Sequence, residues 1–245
     1  MSVEVLTKSV DITRARREMR QRGLDFATRW WAKLLLRAHL FRGETIGQLQ
    51  KSWDVLRTLQ FIEQQVDKGA PILDLGAHTS EVLLCLRKMG FSDLTGIDLD
   101  PAVKRMPYGE SIKYMTGDFT RTPFPSETFG AIAAISVIEH GFSGEKIFRE
   151  ISRILKTGGY FIGSTDYWAE KIDTSDVQVY ELDWTIFSRN EMLSFVAEAG
   201  KHGLVPVGSL NFKEGEATIR WKERDYTFAW FAFQKVGNPG KGAEG

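Results

Sequence analysis

Apolar positions recur at helical spacing in the first part of the chain and collect into short strand-like runs after Pro71. From Asp11 to Phe41, Leu24, Phe26, Trp30 and Leu34 make an apolar stripe opposite a set of arginines, the pattern of an amphipathic helix. Gly23 is the expected break in it. Trp53, Leu56, Leu59 and Phe61 predict a second helix from about Ile46 to Gln65, stopped by Gly69 and Pro71. Strands are predicted at Ile72–Leu75, Leu94–Ile97, Ile112–Met115, Ala131–Val137 and Tyr160–Ser164. Helical stretches lie between or after them: Ser80–Lys88, a short one after Pro101, Gly144–Leu155 and Arg189–Ala199. Such alternation implies parallel strands joined by helical crossovers. The last two runs, Val205–Gly208 and Thr227–Lys235, are separated by the polar, hairpin-compatible stretch Lys213–Arg224, which predicts an antiparallel closing pair. The expected domains are a helical extension or cap over 1–69, a core over 70–236 and a Gly-rich disordered tail over 237–245.

Composition changes this picture little: 42% hydrophobic and 26% charged residues describe a globular chain and exclude a disordered one. A net charge of zero gives no reason to expect a polyanionic partner. Locally the balance differs, because Asp11–Arg42 holds nine Lys or Arg against three Asp or Glu. Three readings of that basic stretch are carried, in order: a lid or homodimer contact through Trp30 and Trp31, a solvated helix face, and a membrane-surface patch. Cys85 is the only cysteine and falls among Val82, Leu83, Leu84 and Leu86, so it reads as a small buried hydrophobe. No Cys/His spacing suits zinc, and no bound metal is expected. The first twenty residues carry no apolar core of a signal peptide and no run spans a bilayer, so a cytoplasmic location is expected.

Two strings carry candidate chemistry. ILDLGAHTS, Ile72–Ser80, sets an apolar strand, an acid and a glycine before the start of a helix, where backbone can approach a ligand and free N–H groups face it. Alone, Asp74 and Gly76 could equally be turn residues. In GIDLDP, Asp98 ends the next strand roughly 20 residues after Gly76, the offset at which an acid meets a ribose hydroxyl pair. A carboxylate accepts only, and two hydroxyls offer it two donors. An exposed strand-end acid is the alternative for Asp98.

With these residues the chain resembles the class I S-adenosylmethionine-dependent methyltransferases, and further elements follow in that family's order. YMTGDFTRTPFPSETFGAIAAISVIEHG, Tyr114–Gly141, is similar to its third and fourth strands, and LKTGGYFIGST, Leu155–Thr165, to its turn into the fifth. YTFAWFAFQKV resembles its antiparallel last strand. The resemblance covers about Ile72 to Val236. It implies a three-layer α-β-α sandwich: a mostly parallel seven-stranded sheet with an antiparallel last strand, plus N-terminal helices. It also implies S-adenosyl-L-methionine as cofactor. Asp74, Gly76, Ala77 and His78 would then lie along its methionine part, and Asp98 would hold its ribose. Leu99 would cover the adenine, Gly117, Asp118 and Phe119 would border it, with Asp118 accepting from the exocyclic amine, and Ser136 would complete the cofactor set. His78 and Ser80 stand where that family usually has further glycines, a departure that would hurt a pyrophosphate more than a methionine tail.

For the acceptor, a small molecule with an oxygen or nitrogen nucleophile is expected, and His140 is the first candidate base because imidazole titrates near neutrality. Glu139 and His140 could instead merely begin the next helix. Asp166, Tyr167, Trp168 and Trp184 are the expected pocket wall, with loop anchoring as the alternative for each aromatic. Competing readings are an NAD(P)-dependent oxidoreductase and a non-catalytic methyltransferase-like subunit. ISVIEH follows the fourth strand where nucleic-acid methyltransferases carry an Asn-Pro-Pro-Tyr-like string, so no nucleic-acid partner is expected.

Overall fold

The structure, a computed structural model, describes residues 2–29 and 45–237. Trp30 and Trp31, on which the dimer reading rests, lie outside the described residues with Leu34, as does the tail beyond Gly237.

A single sheet organises the chain. Its strands are β1 (Val3–Val5), β2 (Ile72–Leu75), β3 (Leu94–Asp98), β4 (Lys113–Thr116), β5 (Phe129–Ile135) and β6 (Leu155–Tyr167). After a separate two-strand ribbon, β7 (Gln178–Val179) with β8 (Leu182–Asp183), come β9 (Leu204–Pro206), β10 (Leu210–Asn211), β11 (Ile219–Trp221) and β12 (Arg224–Lys235). The order across the sheet is β10-β1-β12-β6-β5-β2-β3-β4, with β9 and β11 also paired to β12. From β4 to β6 all pairings are parallel, and β12 runs antiparallel to β6. The expected parallel core and antiparallel closing strand are therefore present, but the sheet has ten strands instead of seven. One addition, β1, is three residues long and pairs antiparallel with β12 through Val3, Glu4 and Val5. Three residues are too short to show a period, which is why no sequence pattern predicts it.

Burial explains the elements. Leu73, Leu75, Ile97, Ile132 and Phe161 are all fully or almost fully buried, as expected for parallel strands covered on both faces. The KTGG stretch is a bulge inside β6: pairing with β5 passes from Phe129–Leu155 directly to Ala131–Tyr160. β11 and β12 close through Lys222 and Glu223, both at positive φ (48° and 60°), as a hairpin turn whose twist suits the strands requires.

The helices are α1 (Ser9–Gln21), α2 (Ser52–Gln65), α3 (Val82–Lys88), α4 (Gly144–Ile154) and α5 (Arg189–Lys201). α1 stops before Gly23, at φ 69°, so the predicted break is where the sequence puts it. α5 starts on a reciprocal cap in which the Ser188 hydroxyl accepts from Glu191 N while the Glu191 carboxylate accepts from Ser188 N. α2 lies against the sheet through buried Leu56, Leu59 and Ile62, each worth roughly 1.5–3 kcal/mol on full burial. Two polar pins add direction: Trp230 Nε1 donates to Thr58 Oγ1 (3.0 Å) and Ser164 Oγ donates to Asp54 Oδ2 (2.7 Å). α1 is joined to the start of α3 by a buried ion pair, with Arg16 bonding both Glu81 oxygens (2.9 and 2.5 Å) and Ser52 Oγ (2.9 Å). Residues 1–69, expected as a helical addition, thus contribute a strand to the main sheet and an ion pair to the loop after β2.

Candidate active site

In an open parallel sheet, ligands bind at the carboxyl ends of the strands. β2, β3 and β4 end together at one such edge, followed respectively by Gly76–Ser80, Leu99–Asp100 and Gly117–Phe119. Gly76 has φ 70°, and a Cβ there would overlap Val137 Cγ2, so only glycine fits between the two strand ends. Its N–H and that of Ala77 donate to Ile97 O (2.9 and 3.2 Å). Thr79, a β-branched residue at φ 64°, holds a left-handed conformation in the stretch where further glycines were expected. Its carbonyl accepts from Gly47 N (2.8 Å), which ties the segment before α2 to this loop.

Three carboxylates serve this edge in different ways. Asp74, within β2, is buried; Ser80 bonds one side of it, while Oδ2 finds no partner among the described residues. Burial pushes its pKa up to about 7, against the Ser80 hydrogen bond and with help from the nearby Asp98 charge. Asp98 accepts from His78 N (2.9 Å) and Asp100 N (2.8 Å), one oxygen each, leaving a lone pair on both. Asp118 is exposed and uses one oxygen for Thr120 N and Oγ1 (2.8 Å each). Register pairs Asp98 with Thr116, so Asp118 sits two residues past its neighbour strand's partner at the same edge. Leu99 is 53% exposed between them, an apolar side chain without an apolar cover. His78 Nδ1 lies 3.2 Å from Asp100 Oδ2, and Phe119 is half-buried against the core.

The neighbouring edge, where β5 and β6 end and β12 begins, is built differently. Lys51, just before α2, donates to Ser136 Oγ and lies 3.8 Å from Asp166 Oδ1 and 3.9 Å from the Phe228 ring centroid. Ser136 is held at φ 50°. Asp166 Oδ2 accepts from Trp184 Nε1 (2.8 Å), and the Tyr226 hydroxyl bonds the same carboxylate. Glu139, 1% exposed, is bonded by Ser136 but leaves Oε2 without a partner among the described residues; Asp166 Oδ1 is in the same position. Burial drives the pKa of Glu139 far above the carboxylate range, and the Asp166 charge adds to this while Lys51 opposes it. Asp166 is raised by burial too, and Asp54 reaches about 6 for the same reason with Lys51 pulling down. His140, whose Nδ1 is buried and unpartnered among the described residues, is lowered to about 4 by burial and by Lys51.

Of the residues singled out in the sequence, Ser136, His140, Asp166 and Trp184 gather at this second edge. Tyr167 does not join them: successive strand side chains alternate faces, and its ring packs near Phe212 (6.1 Å) across the sheet from Asp166. Trp168 packs on the core that includes Trp184. Lys51, Asp54 and Tyr226 were not legible as site residues, because each comes from a segment far in sequence from Glu139 and carries no motif of its own.

Comparison with known proteins agrees with this layout. A family profile described as a methyltransferase domain matches residues 73–163, from β2 to the middle of β6. A sterol 24-C-methyltransferase of Gibberella zeae is 28% identical over 104 residues, covering 39% of this chain and 27% of that protein. The chain thus matches only about a quarter of that relative's length. Among solved structures, geranyl diphosphate C-methyltransferase from Streptomyces coelicolor A3(2) superposes with a TM-score of 0.57 at 15% identity, covering 92% of this chain and 98% of its own. The [4+2]-cyclase SpnF gives a TM-score of 0.57 at 17% identity over 78% of this chain and 85% of its own. Residues 73–163 thus match a methyltransferase-domain profile, and the chain shares the Rossmann-like α/β fold of these solved structures.

Proposed function

We propose that the protein transfers a methyl group from S-adenosyl-L-methionine to an oxygen or nitrogen of a small-molecule acceptor. The observation that carries this reading is the edge of β2–β4: a glycine that alone fits its turn, two carboxylates with free lone pairs, and exposed Leu99 beside them. That set fits an adenosine, with Asp98 toward the ribose hydroxyls, Leu99 on the base and Asp118 toward its amine. Asp74, Gly76, Ala77, His78 and Ser136 border the space left for the amino-acid tail. That a cyclase shares this fold shows why the site, and not the fold, supports the reading.

When bound, the cofactor supplies a methyl already activated on a sulfonium, so the protein's task is positioning and exclusion of water, worth up to about 7–11 kcal/mol in the best-oriented cases. Lys51, Ser136 and Asp166 link the segment before α2 to the ends of β5 and β6, and so fix where an acceptor can sit. A His140 held near pKa 4 is neutral at pH 7 and a weak base, so its part is to accept a hydrogen bond and orient the acceptor.

Calorimetry with S-adenosylhomocysteine tests the reading: wild-type protein binds it, and Asp98→Ala weakens binding by roughly 10–100-fold, the worth of one or two charge-assisted hydrogen bonds. A folded wild-type protein that gives no heat removes the methyltransferase reading.

A further inference from the structure

We infer that the acceptor is an amine, received as an ammonium by the carboxyl oxygens Glu139 Oε2 and Asp166 Oδ1, neither of which has a hydrogen-bond partner among the described residues; the inference rests on the methyltransferase reading. Both residues are more than nine-tenths buried, and each has one oxygen without a hydrogen-bond partner among the described residues, that of Asp166 meeting only the Lys51 charge at 3.8 Å. Buried acceptors without donors cost about 1–3 kcal/mol each, so a site that keeps two of them side by side is built for donors that arrive from outside. His140 Nδ1 is a third such acceptor at the same edge.

Donor count and charge select the ligand. A hydroxyl brings one hydrogen and satisfies one of these atoms; an ammonium brings up to three. The titratable groups here are Asp54 on α2, Glu139 and His140 after β5, Asp166 on β6, Tyr226 on β12 and Lys51 before α2. Three carboxyls therefore face one lysine, whose ammonium is already spent on Ser136 and sits 3.8 Å from Asp166. An anion would meet an acidic wall, whereas a cation would complete it. Trp184 packs against Trp221 and Tyr226, at 4.9 and 5.7 Å between ring centroids, and so holds the Asp166 side of the cluster in place. Lys51, Ser136 and Val137, which border the cluster, are partly exposed. Burial pushes both carboxyls toward the neutral form, so cation binding lets the pair ionise and releases a proton to solvent; before methyl transfer the ammonium gives one proton back to that pair, which frees the nitrogen lone pair to attack the activated methyl.

The test uses the full chain saturated with S-adenosylhomocysteine and matched amine and alcohol probes: benzylamine with benzyl alcohol, tryptamine with tryptophol, and octylamine with octanol. Ligand-observed NMR titration is expected to show at least one amine bound ten-fold or more tighter than its alcohol, and Glu139→Gln to remove that preference. Asp166→Asn should do the same; where it unfolds the protein, Glu139→Gln carries the test alone. Calorimetry of the bound amine in buffers of different ionisation enthalpy should show proton release. No preference for amines, or no amine bound at all, overturns the inference. A second arm compares S-adenosylhomocysteine with methylthioadenosine, which lacks the amino-acid tail. Should Glu139→Gln weaken the first and spare the second, the pair holds the cofactor's own ammonium and the acceptor assignment falls. Failure of wild type to bind either nucleoside strikes the methyltransferase reading instead, while amine selectivity is then read on the unloaded chain.

Discussion

The two halves of the strand-end edge solve opposite problems. At β2–β4 two of the three carboxylates are open, above the buried Asp74: Asp98 is partly exposed, Asp118 is exposed, and they bond backbone N–H groups of the loops after β2, β3 and β4 and the Thr120 hydroxyl. At β5, β6 and β12 the acids are closed in, and Asp54, Glu139 and Asp166 bond side chains contributed by β6, β12 and the segments after β5 and β8. A closed acid is pushed toward its neutral form by desolvation, and its charge then depends on what enters the site. The first half suits a ligand of fixed character; the second suits one whose charge it must match.

The largest effect that would break this contrast is in the tie between the halves. Removing one partner of the buried Arg16–Glu81 pair, by Glu81→Ala, is expected to cost about 3–5 kcal/mol in denaturant unfolding. Gly76→Ala comes next. It must adopt φ 70° and push Val137 away, so a loss of roughly 1–3 kcal/mol is expected, with weaker S-adenosylhomocysteine binding in calorimetry.

The acids of the two halves should also differ in their pH signature. Asp74 has its folded pKa raised, from the ordinary range to about 7, so between those values the native state holds the extra proton and stability falls as pH rises. His140, lowered to about 4, pulls the other way over part of that window, losing stability as pH falls from 6.5. The wild-type minus Asp74→Asn difference isolates the first: it should grow against the wild type by about 1.4 kcal/mol per pH unit at most between pH 4 and 7 and flatten above 7. Asp118→Asn, at an exposed position, should move stability by less than about 0.5 kcal/mol while still weakening nucleoside binding. A variant that loses binding only through unfolding would erase the distinction between open and closed acids.

How much of this was legible follows the same division. The strands β2 to β6, the closing strand β12, the break at Gly23 and the acids at the ends of β2 and β3 were readable, because each is written in a run of neighbouring residues: an apolar stretch, a glycine, an acid at a strand end. β1 was not, since three residues carry no period. Nor was the partnership of Lys51 with Ser136 and Asp166, whose members are joined only after α2 has docked on the sheet. Tyr167 shows the limit most simply: it lies next to Asp166 in sequence, yet the pleat turns it to the opposite face.

Local sequence thus determined the elements and the residues at their ends, because backbone propensity and apolar periodicity act over a few positions. Only the tertiary structure decided which acids are buried, which face one another and which oxygens go unpartnered. Burial and Coulomb interaction depend on distance in space, and the residues that set them here come from opposite ends of the chain.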